Sequence, residues 1–298
     1  MSISTPWSRR MGLALPIVNA PMGGAAGGRL AAAVTAAGGL GMIGMGSAAT
    51  PEALATELAE LFELGPLGGP RPFGIGLVHW VMTDNPALLD TALAVAPTAL
   101  SVSFGDEFSW VCRAHDAGAL AVTQVADVDA ARRAAGAGVD VLVARGAEGG
   151  GHGEPRIGTL PLLAEVLDAV DVPVLAAGGV STGRALAAVL AAGAAGAWLG
   201  TVLTTCAEAL TRPGDRDLLL GAGSAQTALT AEFDVAAGYR WPASQPERVL
   251  IDAAGTALPV NAGQGVGSVR SSRPAAEVVA SLAEDAAALL RRVGAEVL

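Results

Sequence analysis

The residues with the widest chemical reach lie in one stretch, Gly146-Ala147-Glu148-Gly149-Gly150-Gly151-His152-Gly153-Glu154. Glycines let a backbone approach a ligand closely, and here they surround one imidazole, a group that exchanges a proton near neutral pH. The chain holds three histidines, so His152 stands out as a general base or as a donor to an anion. A tight glycine turn with an exposed histidine is the competing reading of the stretch alone. All 18 basic residues are arginine, which excludes a lysine Schiff base and a lysine-dependent phosphate loop.

The elements that must position these residues repeat a simple unit. Apolar runs at 17–20, 40–44, 73–77, 99–103, 120–125, 139–144, 173–177 and 197–199 read as buried strands, with amphipathic helical patterns between them. Thr50, Asp127 and Ser181 are placed to cap three of those helices. Strand and helix alternate about eight times over roughly two hundred residues, the scale of a (β/α)8 TIM barrel in the α/β class. An open doubly wound sheet is the rival, but Met22-Gly23-Gly24 after the first strand is not its glycine fingerprint. Gly65 to Pro72 reads as a glycine–proline loop. Beyond Arg212 the alternation stops. The expected division is a barrel from 1–212 plus 261–298 and a small, mainly helical insertion at 213–260, with a closing helix through Val278, Leu282 and Leu289.

Barrel chemistry belongs at the C-terminal ends of the strands, and the suggestive residues fall there. His79 follows the third strand, Gln124 ends the fifth, His152 follows the sixth, Gly178-Gly179 the seventh and Gly200-Thr201 the eighth. Glycine amides beside a helix N-terminus hold phosphate without lysine. Set against these, Gln124 also reads as a satisfied barrel amide, His79 as a pocket-lining or surface residue, and His115 as a solvated residue at a helix end. Glu148 and Glu154 read as solvent-facing loop carboxylates.

Composition bounds the function. A net charge of −10 argues against a nucleic-acid surface. Cys112 and Cys206 are too few for a disulfide framework and read as buried thiols in a reducing cytoplasm. The uncharged run from Ala185 to Ala207 is long enough to span a bilayer, but it divides into helix, strand and turn, so no membrane partner is expected.

Asn19-Ala20-Pro21-Met22-Gly23-Gly24, the glycine-rich stretch around His152 and Ala176-Ala177-Gly178-Gly179-Val180 together resemble the nitronate monooxygenase family, formerly 2-nitropropane dioxygenases. Ser103-Phe104-Gly105, Trp198-Leu199-Gly200-Thr201, Ala207-Glu208-Ala209 and Ala262-Gly263-Gln264-Gly265 extend the resemblance over nearly the whole chain. It implies an FMN-binding barrel with a small second domain over the flavin. Met22 and Gly23 would lie near the isoalloxazine ring, with Gln124 and Gly151 in contact with the flavin. Gly178, Gly179, Gly200 and Thr201 would hold the FMN phosphate, and His152 would be the catalytic base or the group orienting a nitronate. Substrates would be a small anionic nitronate or nitroalkane and dioxygen. Arg145 stands where the family often has Gln, Gly150 where Ala is usual, and Gly76 where Asn is frequent. The close alternative is an FMN-dependent enoyl-acyl-carrier-protein reductase using NAD(P)H; a non-catalytic flavin-binding protein is the third reading.

Overall fold

The structure, a computed structural model, describes residues 3–64 and 72–297; of the expected 65–72 loop, all but Pro72 lies outside the described residues. Eight short parallel strands form the central layer: β1 Ile17–Asn19, β2 Gly41–Gly44, β3 Phe73–Val78, β4 Ala99–Ser103, β5 Leu120–Val125, β6 Val141–Arg145, then, after a two-residue β7 Gly151–His152 outside the barrel, β8 Val174–Ala177 and β9 Gly196–Leu199. Their order is β1-β9-β8-β6-β5-β4-β3-β2, each pair parallel. The remaining gap, between β1 and β2, is closed by a parallel bridge from Val18 to Leu40 and by the buried Asn19 amide. That side chain donates to the Met42 carbonyl and accepts from the Met42 N–H, both at 2.7 Å, so it replaces a rung of the ladder. The sheet is a TIM barrel, as the strand count predicts.

Alternation along each strand divides the apolar side chains between two cores. On β6, Val141 and Val143 join the barrel interior with Met42, Val122, Leu175 and Trp198, while Leu142 and Ala144 face the helices. The inward series continues to Arg145 on β6 and to Gln124 on β5, which places both polar groups at the mouth. Helix α1 Pro6–Arg10 precedes the first strand, and α2 Gly28–Ala36, α3 Pro51–Leu64, α4 His79–Asp84, α5 Pro86–Ala94, α6 Trp110–Asp116, α7 Val128–Gly136, α8 Thr159–Leu167, α9 Gly183–Ala191 and α10 Thr201–Thr204 follow the strands around the barrel. The arginine pair Arg9-Arg10 ends α1, a helix that the apolar pattern conceals; its Trp7 and the following Leu13 join the interior cluster.

Two caps stand where expected. Thr50 accepts from the Ala53 N–H at 3.1 Å, and Asp127 from the Ala130 N–H at 2.7 Å. The third is corrected by one residue: Thr182, not Ser181, caps α9 through the Ala185 N–H.

The stretch 213–260 corrects the expectation of a mainly helical insertion. It carries α11 Pro213–Gly221 and α12 Glu232–Ala237, but also β10 Thr227–Thr230, β11 Glu247–Ile251 and most of β12 Ala257–Asn261. β10 and β12 flank β11 in antiparallel fashion. β7 joins the same small sheet, with Glu247 opposite His152 and Arg248 opposite Gly151. The glycine-rich stretch is thus paired directly to the segment beyond the barrel. A core of Leu219, Leu250, Val260 and Val266 lies beneath it. After a 3-10 turn at Gln264–Ser268, α13 Ala275–Val297 packs back on α9 and α2, as the apolar stripe predicts.

Candidate active site

A cavity of about 520 Å3 opens at the C-terminal ends of the barrel strands. Met22 and Gly23 enter it after β1, Gln124 from β5, and Gly151 and His152 from β7. Gly178 and Gly179 enter after β8, and Gly200 and Thr201 where β9 passes into α10. The nine residues singled out in the sequence therefore share one space. The volume lies within the range of about 300–1,000 Å3 typical of cofactor and ligand sites.

The glycine-rich stretch is shaped by a buried cation that the sequence leaves without a role. The Arg145 guanidinium lies inside the loop, and its Nη2 donates to the carbonyls of Gly149, Gly150 and Gly151 at 2.9–3.1 Å. A Cβ at Gly149 or Gly153 would collide with that guanidinium, one at Gly150 with the Gly263 backbone, and one at Gly146 with the Thr159 backbone. Gly151 has φ +67°, a conformation that favours glycine. Burial, with Arg248 nearby, holds Arg145 down at about 10, still a full cation at neutral pH. Arg248 donates through Nε and Nη2 to the Ala147 carbonyl, so two guanidinium groups brace the loop that carries His152.

His152 is held on two sides by the stretch beyond the barrel. Its Nε2 is 2.8 Å from Oδ2 of the buried Asp234 on α12. Trp241 stacks on the imidazole with ring centroids 3.5 Å apart and planes 7° from parallel. Burial holds the histidine below its ordinary pKa; Asp234 opposes that shift and Arg145 adds to it. A neutral imidazole whose Nε2–H donates a hydrogen bond to a carboxylate keeps a lone pair on Nδ1. Asp234 is one of the residues the sequence reading missed, since a lone aspartate in an irregular stretch carries no local signal.

Beside this pair lies a second buried carboxyl. Glu247 pairs with His152 across β7 and β11, and its Oε1 is buried with no hydrogen-bond partner among the described residues. Burial first, and Asp234 next, raise it to about 7 despite a hydrogen bond from Asn261. Phe104, at φ +73°, packs edge-on against Trp241 at 4.9 Å. That backbone is strained for a side chain other than glycine, as is common around active sites.

The remaining candidates fall elsewhere. His79 starts α4 outside the cavity lining, its ring against Gly105 and its Nε2 3.8 Å from Glu107. His115 is exposed in the last turn of α6, as expected for a solvated residue at a helix end, and its Nε2 lies 2.8 Å from Asp140. Glu148 turns inward rather than to solvent: it accepts from the N–H and hydroxyl of Thr159 and caps α8 from outside the helix. Glu154 forms an ion pair with Arg156. Cys206 is buried, and burial pushes its thiol up to about 12, whereas Cys112 is exposed, against expectation. Among the described residues no helix is long and apolar enough to cross a membrane.

Comparison with known proteins agrees with this geometry. A family model described as nitronate monooxygenase matches residues 5–85 and 81–239. A nitronate monooxygenase of Pseudomonas aeruginosa is 33% identical over 294 residues, covering 85% of this chain and 83% of that protein. A (3aS,4S,5R,7aS)-5-hydroxy-7a-methyl-1-oxo-octahydro-1H-indene-4-carboxyl-CoA dehydrogenase of Rhodococcus jostii is 31% identical over 249 residues. That match covers 84% of this chain but 66% of the dehydrogenase, so the chain spans just under two thirds of that relative's length. The solved structure of a nitroalkane oxidase from Streptomyces ansochromogenes superposes with a TM-score of 0.81 at 29% identity, covering 96% of this chain and 99% of that one.

Proposed function

The chain belongs to the nitronate monooxygenase family of oxidoreductases, and from that premise we propose that it binds FMN in the barrel mouth and oxidises small alkyl nitronates. Dioxygen is the co-substrate, and the products are a carbonyl compound and nitrite. The observation that carries this reading is His152: an imidazole kept below its ordinary pKa inside the cavity, with Nε2 engaged by Asp234. Such a group serves as a base toward a nitroalkane α-proton or, once protonated, as a donor to a nitronate oxygen.

The residues present suit the flavin. Gly178 and Gly179, at φ +108° and +69°, form a side-chain-free turn ahead of α9, and Gly200 with Thr201 forms the neighbouring one. These turns are the phosphate cradle of the proposal, supported by the N-terminal end of α9. Met22, Gly23, Gln124 and Gly151 would border the ring system. Bound FMN would supply the electron acceptor for nitronate oxidation and the route to dioxygen.

The rest is the work of this chain. In a neutral nitroalkane the Nδ1 lone pair takes the α-proton, and the electrons of the broken C–H bond pass to the nitro group, giving the nitronate. Asp234 balances the imidazolium that forms. The chain is acidic overall at −10, so attraction for the anion has to be local, and Arg145 and Arg248 around the His152 loop provide it. Residues 213–260 act in this reading as the unit that covers the substrate, and the enzyme works in the reducing cytoplasm.

The test uses FMN-loaded protein mixed in air with propionate 3-nitronate, following oxygen uptake and nitrite. Nitrite release without NADH is expected. His152→Asn should lower kcat/KM on the corresponding neutral nitroalkane by about 10²–10⁴-fold, the usual weight of a general base. NADH oxidation with an enoyl thioester and no nitrite would move the protein to the reductase reading. Bound FMN with neither activity would leave a non-catalytic flavoprotein.

A further inference from the structure

The cavity has a feature that the nitronate reading does not itself require. Trp241 comes from the connection between α12 and β11, yet it touches the segments that follow four barrel strands. Its indole stacks on His152 after β6, and its Nε1 donates to the Ser47 hydroxyl after β2 at 2.9 Å. Edge-on contacts to Phe104 after β4, at 4.9 Å, and to Trp80 after β3, at 6.0 Å, fix it from the side. In the strand order β2 and β6 are four places apart in either direction, so they face each other across the barrel. The indole is therefore a bar across the cavity, tied to the loops that follow two opposite strands.

The bar controls access to one group in particular. It covers one whole face of the imidazole, while Asp234 occupies the Nε2 edge. Approach to His152 is left to the Nδ1 edge and the uncovered face, beside a ring that cannot shift without losing its bond to Ser47. A substrate with a long or branched chain on the reacting carbon would have to displace the indole. A short one would not.

We propose that Trp241 is the specificity-determining residue of the site, limiting it to short, unbranched nitronates by covering the imidazole. This rests on the nitronate reading, but the cover itself can be measured without turnover. Apolar contacts in a fitted pocket discriminate about 10- to 200-fold per methylene. Trp241→Ala should therefore raise the ratio of kcat/KM for hexyl nitronate over that for ethyl nitronate at least tenfold, through a lower KM for the longer substrate. Ser47→Ala, which frees the far end of the bar, should move the ratio the same way by less, and it keeps the test open if the alanine variant at 241 does not fold. A ratio unchanged in every folded variant overturns the proposal.

The second arm is chemical. Diethyl pyrocarbonate ethoxyformylates accessible neutral imidazoles, and mass spectrometry of the peptide carrying His152 gives the rate. Modification should be slow in the parent protein and at least tenfold faster in Trp241→Ala, with His115, which lies far from the bar, as internal reference. Equal rates at His152 overturn the cover. If the parent protein releases no nitrite from either nitronate, the nitronate reading fails, and the labelling rates alone decide the role of Trp241.

Discussion

The two halves of the cavity are built on different principles. The barrel rim supplies backbone: Gly23, Gly151, Gly178, Gly179 and Gly200 line it, so its chemistry is that of amides and open space. The 213–260 stretch supplies side chains: Asp234 and Trp241 converge on His152, and Glu247 lies opposite it across the sheet. His152 stands at the seam, on a two-residue strand that leaves the barrel loop and pairs with β11. The contrast teaches which changes each half should tolerate. Where backbone packs on backbone, as at Gly23 against Gly46, an added methyl group collides and the local structure has to shift. The side-chain half keeps its fold under an isosteric swap and changes only its protonation or its fit.

The most disruptive test of that contrast is Gly146→Ala, where the new Cβ would collide with the backbone of Thr159 at the start of α8. Overpacking against backbone is expected to cost about 1–3 kcal/mol, read as a lower midpoint in urea unfolding with unchanged slope. Glu247→Gln should be milder and depend on pH. Below the ordinary 4.5 the Glu247 carboxyl is protonated in both states, whereas between 4.5 and about 7 the unfolded chain releases a proton that the folded one keeps. The parent protein therefore loses stability as pH rises through that window. The glutamine variant, which cannot titrate, should lose less between pH 5 and about 8 when melting is followed across pH. The smallest change is at the α9 cap. Thr182→Ala should cost about 1 kcal/mol, while Ser181→Ala should stay within about 0.5 kcal/mol, measured by the same unfolding titration.

How much of this the sequence carried follows the same division. The barrel was legible because buried parallel strands are continuous apolar runs, such as Val141–Ala144 and Val174–Ala177, spaced by helical periods. The rim was legible because its glycines and His152 occur at strand ends, where a barrel places its site. Asp127 and Thr50 showed their roles by position alone. Arg145 did not: one arginine at the end of a strand gives no sign that three carbonyls will turn toward it. The small sheet was hidden for a physical reason. β10 is Thr-Ala-Leu-Thr, partly exposed, and β11 begins with the buried pair Glu247-Arg248, so neither shows an apolar alternation. With those strands unseen, Asp234 and Trp241 had no element to bring them to His152, and their contacts, 82 residues apart in the case of Asp234, lie beyond any local pattern.

The most direct test of how the two halves meet is the protonation of His152 itself. With three histidines in the chain, ¹⁵N NMR of the imidazoles resolves each nitrogen, assigned by comparison with His152→Asn. The account predicts that at neutral pH His152 carries its proton on Nε2, toward Asp234, with Nδ1 bare. It also predicts that Asp234→Asn abolishes this preference while the fold survives, and lowers kcat/KM on a neutral nitroalkane by about tenfold or more. A proton found on Nδ1 with Nε2 bare, or the same tautomer in parent and Asp234→Asn, would contradict it.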